Sequence, residues 1–187
     1  ERELSIRRDI AFEIVAQKEA LQLDFIAAEN RESFFIDSLD HFESGFFAAP
    51  SATTKNLLEN LKTNPTSLLI KTQKDQTANV SKFLTLQFKD DIDVRTWGGP
   101  DAILEIVPKG VQKAMSVAVV AESFGIDAKN VVAFGDEHND VEMLEYAGWG
   151  VAMKNGTDQV KQIANDITDK TNEADGLADY LEKYLAI

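Results

Sequence analysis

Two carboxylates lie four residues apart in the stretch FGDEHNDVEML, residues 134–144, directly after a hydrophobic run. If a helix begins near Asn139, Asp136 and Asp140 can face the same point, because positions i and i+4 share one helix face. Such hard oxygen ligands suit Mg²⁺, which usually takes one or two protein carboxylates and keeps several waters. Asp and Asn are also preferred in the first turn of a helix, where they cap free N–H groups. The spacing therefore leaves two hypotheses open, a cation site and a capped helix start.

Other polar side chains have types and positions suited to phosphate. Lys109 and Lys113 lie four residues apart in PKGVQK, at the start of a predicted helix, where a lysine can neutralise a phosphate. Asn155 follows the apolar segment GVAM and precedes Gly156. An exposed helix lysine and a simple turn amide are the alternative interpretations of these residues. His138 is interpreted as a surface histidine, because no cluster of histidines accompanies it.

The second half of the chain alternates strands and helices. VVAF (131–134) and GVAM (150–153) are short apolar runs typical of buried strands. Helices are predicted over residues 111–125, 139–148, 156–167 and 176–187. This alternation indicates a parallel α/β sheet, whose ligand-binding rim lies at the carboxyl ends of the strands. Both GDEHND and Asn155 fall on that predicted rim.

The first half has a different order, in which a helix followed by two strands occurs twice. The predicted helices are residues 9–22 and 75–88, and the strands that follow them are 23–28 with 32–37, and 92–97 with 102–107. Between the two groups we predict a helix from near Thr53 to just before Pro65 and a strand over 67–72. GGPD, residues 98–101, is a strong turn signal. This order indicates an antiparallel-rich sheet covered by helices, and the pattern changes near residues 105–110.

Composition excludes several classes of protein. The chain has 187 residues, a net charge of −13 and a sequence pI near 4.5, so it lacks the basic surface that nucleic acids require. It has no run of about 18 apolar residues that could span a membrane. Without Cys it has no thiolate nucleophile, disulfide or Cys-based zinc site. No secretory leader is visible, and we expect a cytoplasmic protein. The sequence does not indicate an oligomeric state.

Taken in order along the chain, these motifs resemble those of the haloacid dehalogenase (HAD) superfamily, specifically its Cof-type phosphatases. The family's fourth motif, GDxxND followed by Met, is matched by Gly135, Asp136, Asn139, Asp140 and Met143. The lysine of the third motif falls on Lys113 in GVQKA, the GNA-like turn falls on residues 154–156, and the closing turn resembles NEADG. The first half resembles the type IIB cap, whose plan is αββ, an αβ insert, then αββ.

The resemblance implies a fold and an activity. The fold would be α/β, with part of a HAD-like (Rossmann-like) parallel-sheet core over residues 107–187 and an α+β type IIB cap over residues 1–106. The activity would be that of a Mg²⁺-dependent phosphatase of small phosphorylated metabolites, such as sugar phosphates. Reaction would pass through an aspartyl-phosphate. Substrate identity would depend on cap loops such as HFESGFF and TWGGPD.

The resemblance also implies roles for individual residues. Asp136 would be a Mg²⁺ ligand, and Asp140 would support the metal through water or orient Lys113. Lys113 would bind phosphate and temper the charge of the nucleophile, while Asn139 and Asn155 would contact the substrate. Cation and lysine together would stabilise the charge on the equatorial oxygens of the transition state. Lys113 and Asp140 are thus the expected catalytic residues.

The family's first motif, DxDGT, which supplies the nucleophile and the acid/base, has no match in this sequence. DDID places Asp91 and Asp93 two residues apart but lacks the GT turn and lies in the predicted cap. We therefore expect a longer parent protein whose N-terminal segment carries DxDGT and half of the core. We expect no phosphatase activity from this chain alone. The alternatives are a phosphotransferase or phosphomutase on the same scaffold and a noncatalytic module that binds phosphate or metal.

Overall fold

The computed structural model describes residues 4–40, 50–54, 56–97 and 102–185. The chain forms two compact units, Glu1–Val111 and Gln112–Ile187. The sequence predicted a boundary between residues 106 and 107, but the division falls a few residues later. The reason is that a strand, Ile103–Pro108, pairs with its neighbour in the first unit through residue 108. The predicted GGPD turn and the cap loop HFESGFF lie outside the described residues.

The first unit contains a six-stranded sheet. Its elements are α1 (Arg8–Ala16), β1 (Phe25–Glu29), β2 (Phe34–Ile36), β3 (Ala52–Thr53), α2 (Leu57–Asn60), β4 (Ser67–Lys71), α3 (Thr77–Gln87), β5 (Ile92–Thr96) and β6 (Ile103–Pro108). The strand order is β3-β2-β1-β4-β6-β5, and all neighbours are antiparallel except β2 and β3. The predicted order, a helix and two strands on either side of a helix–strand insert, is confirmed.

Two helix predictions in this unit were too long. Helix α1 ends at Ala16 and does not reach Gln22 as predicted, since Gln22 takes a φ of 52°, which a right-handed helix does not contain. The second predicted helix was wrong at both ends, since Thr53 lies in β3, where it pairs with Ile36, and α2 ends at Asn60. Helix α2 begins only after Asn56, whose side chain caps it by accepting a backbone N–H from the first turn.

Alternating residues of the central strands enter two different hydrophobic clusters, because successive side chains point to opposite faces of a sheet. The larger cluster joins one face of the sheet to α1, α2 and α3. Its strand members include Ile26, Ala28, Leu68, Ile70, Leu104 and Ile106, and its helix members include Ile10, Ile14, Leu57, Val80 and Leu84. The smaller cluster lies on the other face and contains Phe25, Ala27, Phe34, Ile36, Leu69 and Ile103. Among the described residues of the first unit, helices therefore pack on the first of these faces.

Helix α3 allows a paired test of this packing, because Leu84 is fully buried while Leu86 is 66% exposed. We expect Leu84→Ala to lower the free energy of unfolding of the first unit by about 2–5 kcal/mol, since it removes buried methyl groups and leaves a cavity. The control, Leu86→Ala, should change that free energy by less than about 0.5 kcal/mol. Urea denaturation followed through the amide signals of β4 and β6 measures both. Equal effects of the two substitutions would contradict the packing of α3.

The second unit contains a three-stranded parallel sheet in the order β7-β8-β9. Its elements are α4 (Lys113–Ser123), β7 (Val132–Gly135), α5 (Val141–Tyr146), β8 (Trp149–Ala152), α6 (Asp158–Ile163), β9 (Asp166–Ile167) and α7 (Gly176–Leu185). Short 3₁₀ turns lie at Ala128–Asn130, His138–Asp140 and Asn172–Ala174. The predicted alternation of helices with parallel strands is confirmed.

Three helices of this unit are shorter than predicted, among them α4, which spans Lys113–Ser123 where residues 111–125 were predicted. The 3₁₀ turn at His138–Asp140 precedes α5, so only the later part of the predicted helix is α-helical. The predicted helix over 156–167 was wrong beyond Ile163, because Asn165 leaves it to bond with β8. Its N–H donates to the Gly150 carbonyl at 2.8 Å, and its Oδ1 accepts the Gly150 N–H at 2.7 Å. The next residues then form β9, a strand that was not predicted.

A small hydrophobic cluster holds the second unit together. It contains Ala133, Leu144, Ala147, Ala152 and Val160. Helix α7 is attached through the buried Tyr180, whose hydroxyl accepts the Trp149 Nε1–H at 2.9 Å and donates to Asp166 at 3.0 Å. Within the described part of the chain, no helix is long and apolar enough to cross a membrane.

Candidate active site

The site residues predicted on the rim lie after the carboxyl ends of β7 and β8. Asp136 follows β7, and the loop 153–157 after β8 lies beside it. The Met153 N–H donates to the Gly135 carbonyl at 2.8 Å, and the Thr157 N–H donates to the Asp136 carbonyl at 2.9 Å. The parallel pairing of the two strands thus continues into the loops, which fixes the backbone that carries Asp136 and Asn155.

Asp140 is a buried carboxylate, only 3% exposed, at the start of α5. It accepts the backbone N–H groups of Asp136 at 3.0 Å and Glu137 at 3.1 Å, and it forms an ion pair with the Lys113 ammonium. Burial would raise the pKa of Asp140, but the hydrogen bonds from Lys113 and the two N–H groups outweigh it and hold that pKa below its usual value. Asp140 is therefore ionised at neutral pH, and its oxygens are already bonded.

Gly135 leaves the space that Asp140 occupies. A Cβ on Gly135 would lie 2.5 Å from the Cβ of Asp140 and 3.0 Å from its Cγ, much closer than real Cβ contacts. The GDxxND motif therefore requires glycine for a steric reason, since a side chain at position 135 would displace the Asp140 carboxylate.

Lys113 is the first residue of α4, and its side chain is 46% exposed. Its ammonium contacts Asp140 and lies 3.3 Å from the Asn139 Oδ1. Two residues of one turn thus orient the ammonium, while part of the Lys113 side chain stays exposed to solvent. A lysine held in this way can still donate a hydrogen bond to an anion.

Asp136 is half-buried and has no ion pair among the described residues. Its Oδ2 accepts the Asn155 Nδ2–H at 3.2 Å. Asp136, Asp140 and Lys113 line an open cavity of about 650 Å³. The described residues contain no group of three or more His, Asp or Glu side chains that could hold a metal. Mg²⁺ does not need one, because it usually binds through one or two carboxylates and keeps several waters. Asp136 is the carboxylate that fits this role.

One wall of the cavity was not anticipated from the sequence. It comes from the segment after β9 and the start of α7, and it contains Asn172, Asp175, Leu177 and Ala178. The Asn172 N–H donates to the Asn155 Oδ1 at 2.9 Å, which connects this segment to the rim. NEADG indicated a turn, but no local signal gives its position, since that depends on the unpredicted β9.

Lys109 has a partner of its own in the first unit. Its ammonium pairs with Asp93 of β5 at 2.5 Å, and the second carboxylate oxygen of Asp93 accepts the Gly110 N–H at 2.6 Å. Asp93, one of the two aspartates of DDID, is therefore engaged in holding the end of the first unit.

Comparison with known proteins identifies the family. Residues 2–181 match the family model of haloacid dehalogenase-like hydrolases. Because that model covers nearly the whole sequence, the chain belongs to this family.

Curated relatives include several phosphatases. The 5-amino-6-(5-phospho-D-ribitylamino)uracil phosphatase YitU of Bacillus subtilis (strain 168) is 35% identical over 185 residues, which are 98% of this chain and 68% of the relative. YcsE of the same organism, named for the same substrate, is 47% identical over 75 residues, 40% of this chain and 30% of the relative. A putative phosphatase of Haemophilus influenzae is 45% identical over 80 residues, 43% of this chain and 30% of the relative.

Solved structures agree on the fold. A haloacid dehalogenase-like hydrolase from Bacteroides thetaiotaomicron matches with a TM-score of 0.84 and 26% identity, over 98% of this chain and 69% of that chain. A HAD subclass IIB sugar phosphatase matches with a TM-score of 0.76 over 98% of this chain and 69% of that chain, and its 18% identity supports the fold alone. The α/β fold with an α+β cap of type IIB and part of a HAD-like core is confirmed, and the class of protein is that of the HAD-type phosphatases.

The lowered pKa of Asp140 makes a prediction about stability and pH. Its ion pair with Lys113 stabilises the second unit above the unfolded pKa of about 3.9 and is lost as pH falls through the lower folded pKa. We expect Asp140→Asn to lower the free energy of unfolding by about 1–3 kcal/mol at neutral pH, and the difference from the wild type to shrink in acid.

Urea denaturation across this pH range, followed through the amide signals of β7 and β8, measures the effect. Asp127→Asn is the control, because Asp127 and its partner Lys129 are both more than two-thirds exposed and such pairs contribute little. A difference between Asp140→Asn and the wild type that stays constant down to the acid limit would exclude the ionised carboxylate as its cause.

Proposed function

We propose that this chain supplies the phosphate- and metal-binding part of a Mg²⁺-dependent phosphatase of small phosphorylated metabolites. The observation that carries the proposal is that one cavity is lined by a carboxylate with no ion pair among the described residues, Asp136, and by a lysine with a partly exposed side chain, Lys113. A phosphoryl group in transfer carries negative charge on its equatorial oxygens, and catalysis depends on stabilising that charge. Lys113 would bind those oxygens, and Asp140 would orient its ammonium through their ion pair.

The charge of the cavity supports a divalent cation. Among its described lining residues are one lysine, Lys113, and three aspartates, Asp136, Asp140 and Asp175, which leave a net formal charge of −2. An anionic substrate would be repelled by this lining, and the chain as a whole carries −13. A bound Mg²⁺ at Asp136 would cancel the excess and polarise a phosphate oxygen. Asn139 is placed beside the Lys113 ammonium and would contact the same substrate group.

The names of two relatives support a substrate class. YitU and YcsE are both named as phosphatases of 5-amino-6-(5-phospho-D-ribitylamino)uracil, an open-chain sugar-alcohol phosphate joined to a small heterocycle. We propose that the parent enzyme hydrolyses a phosphate monoester of this kind or a related sugar phosphate. The absence of Cys suits a reducing compartment, and we propose the cytoplasm. The kcat/KM values of the parent enzyme for a panel of such monoesters would rank the candidate substrates.

The chain alone should not turn over substrate, because none of its 187 residues forms the DxDGT motif that would supply the nucleophile. We expect the purified chain to release no phosphate from p-nitrophenyl phosphate or sugar phosphates in the presence of Mg²⁺. Colorimetric phosphate detection measures this. Mg²⁺-dependent release that Asp136→Asn abolishes would contradict the prediction, since that dependence separates the chain's own activity from a contaminant.

A second prediction concerns a protein in which a DxDGT segment is joined to this chain. There we expect Asp136→Asn to lower kcat/KM by about 100-fold or more. The substitution removes the negative charge that would bind the cation needed to stabilise the phosphoryl group. Asp127→Asn removes an equal charge from an exposed pair and should leave kcat/KM unchanged. Undiminished turnover by Asp136→Asn would refute the metal role of Asp136.

A further inference from the structure

We propose that Asn155 is a positioning residue, which orients the Asp136 carboxylate and joins it to the segment 171–175 of the cavity wall. The resemblance to the family suggested instead that Asn155 contacts phosphate. Its role in orienting Asp136 is argued from contacts alone, whereas its effect on metal binding rests on the proposed function.

Both polar atoms of the Asn155 amide are bonded within the protein. Nδ2 donates to the Asp136 Oδ2 at 3.2 Å, and Oδ1 accepts the Asn172 N–H at 2.9 Å. The orientation of the amide is fixed by its neighbours. If the amide were flipped, its oxygen would face a carboxylate oxygen and its NH₂ would face an N–H donor, so both contacts would become repulsive. Asn155 therefore has a defined donor and a defined acceptor, each with one partner.

The backbone around Asn155 is held close to Asp136. Besides the bonds from Met153 and Thr157 to the end of β7, Gly156 brings the loop against it. A Cβ on Gly156 would lie 3.2 Å from the Asp136 Cα and 2.9 Å from the Met153 carbonyl oxygen. A side chain at position 156 would require the Met153 carbonyl to shift and would crowd Asp136, so glycine favours the close approach that places the Asn155 side chain within reach of the carboxylate.

The segment 171–175 is held from the other side. The Lys154 N–H donates to the Thr168 Oγ1 at 2.9 Å, and the Lys154 ammonium donates to the Asp169 carbonyl at 2.9 Å. The Gly176 N–H closes the turn by donating to the Thr171 carbonyl at 2.9 Å. Lys154 thus fixes the chain leading into the segment, and Asn155 is the side chain that links the segment to Asp136.

This arrangement leaves one oxygen of Asp136 without a hydrogen bond among the described residues. Oδ2 accepts the Asn155 amide N–H and Asp136 lines the cavity, so Oδ1 would be the oxygen that binds a cation. Partners that orient a metal-binding carboxylate typically change metal affinity 10- to 100-fold when they are removed. Asn155 would act on the metal in this way without touching it.

Two substitutions separate the two bonds. Asn155→Ala removes both, so we expect faster hydrogen exchange at the Asn172 amide and an Asp136 side chain averaged over rotamers. Asn155→Asp keeps an acceptor for the Asn172 N–H but sets a second carboxylate against Asp136, so the Asn172 amide should stay protected while the Asp136 rotamer changes. Nuclear magnetic resonance of the metal-free chain measures exchange and the scalar couplings that report χ1 of Asp136.

Asn165→Asp is the matched control. Asn165 also accepts a backbone N–H, that of Gly150, but it bonds no carboxylate side chain, so its substitution should leave the Asp136 rotamer unchanged. A single, unaltered Asp136 rotamer in both Asn155 variants would overturn the proposal. If Asn155→Ala does not fold, Asn155→Asp alone decides it, because that change keeps the bond to the wall.

Titration of the chain with Mg²⁺, followed through the Asp136 and Asn155 signals, tests the consequence for the metal. We expect Asn155→Ala to weaken Mg²⁺ binding roughly 10- to 100-fold relative to the wild type and to Asn165→Asp. If the wild-type chain shows no response to Mg²⁺, the metal assignment of the proposed function fails. The positioning role would then still be judged by the rotamer and exchange data. An unchanged Mg²⁺ affinity in Asn155→Ala would overturn the link to the metal.

Discussion

The buried carboxylate of Asp140 is the constraint on which the second unit's site depends. An ionised group that is 3% exposed is costly unless it is fully hydrogen-bonded and paired. Two backbone N–H groups and one ammonium meet this requirement, and each restricts another part of the structure. The N–H groups fix the turn between β7 and α5, Lys113 fixes the start of α4, and the closeness of Asp140 requires glycine at position 135. One charge therefore aligns three elements around the cavity.

The two aspartates of the motif divide the roles that the sequence left open. Spacing alone was compatible with a capped helix start and with a cation site. Asp140 takes part in capping the turn, because its carboxylate accepts the Glu137 N–H in a capping box whose N-cap is Glu137. Asp136, on the same turn, uses one oxygen to accept an amide and lies in the cavity wall. The two aspartates differ in burial and in hydrogen-bond partners, and neither property can be predicted from their spacing in the sequence.

The elements that could be predicted are those with strong local signals. VVAF and GVAM are apolar runs that become the adjacent strands β7 and β8, and the repeated helix–strand–strand order gave the first sheet. The two missed strands have a common cause, since β3 and β9 are two-residue strands that exist only through pairing with β2 and β8. The contact between Asn155 and Asn172 could not be foreseen for the same reason. It requires the position of β9, and the intrinsic propensities of residues 171–175 do not encode that position.

Charge connects the geometry of the site to its proposed chemistry. Asp140 formally neutralises the Lys113 ammonium. The lysine therefore contributes oriented hydrogen-bond donors to the cavity but no excess positive charge. Under the proposed function, the attraction for phosphate would come from the cation at Asp136. Binding of the two would then be coupled, and by linkage phosphate would raise the affinity for Mg²⁺ by the same factor as Mg²⁺ raises the affinity for phosphate. The half-site with its half-buried carboxylate would bind the cation by itself, and a bound substrate would add further oxygen ligands and so raise the affinity.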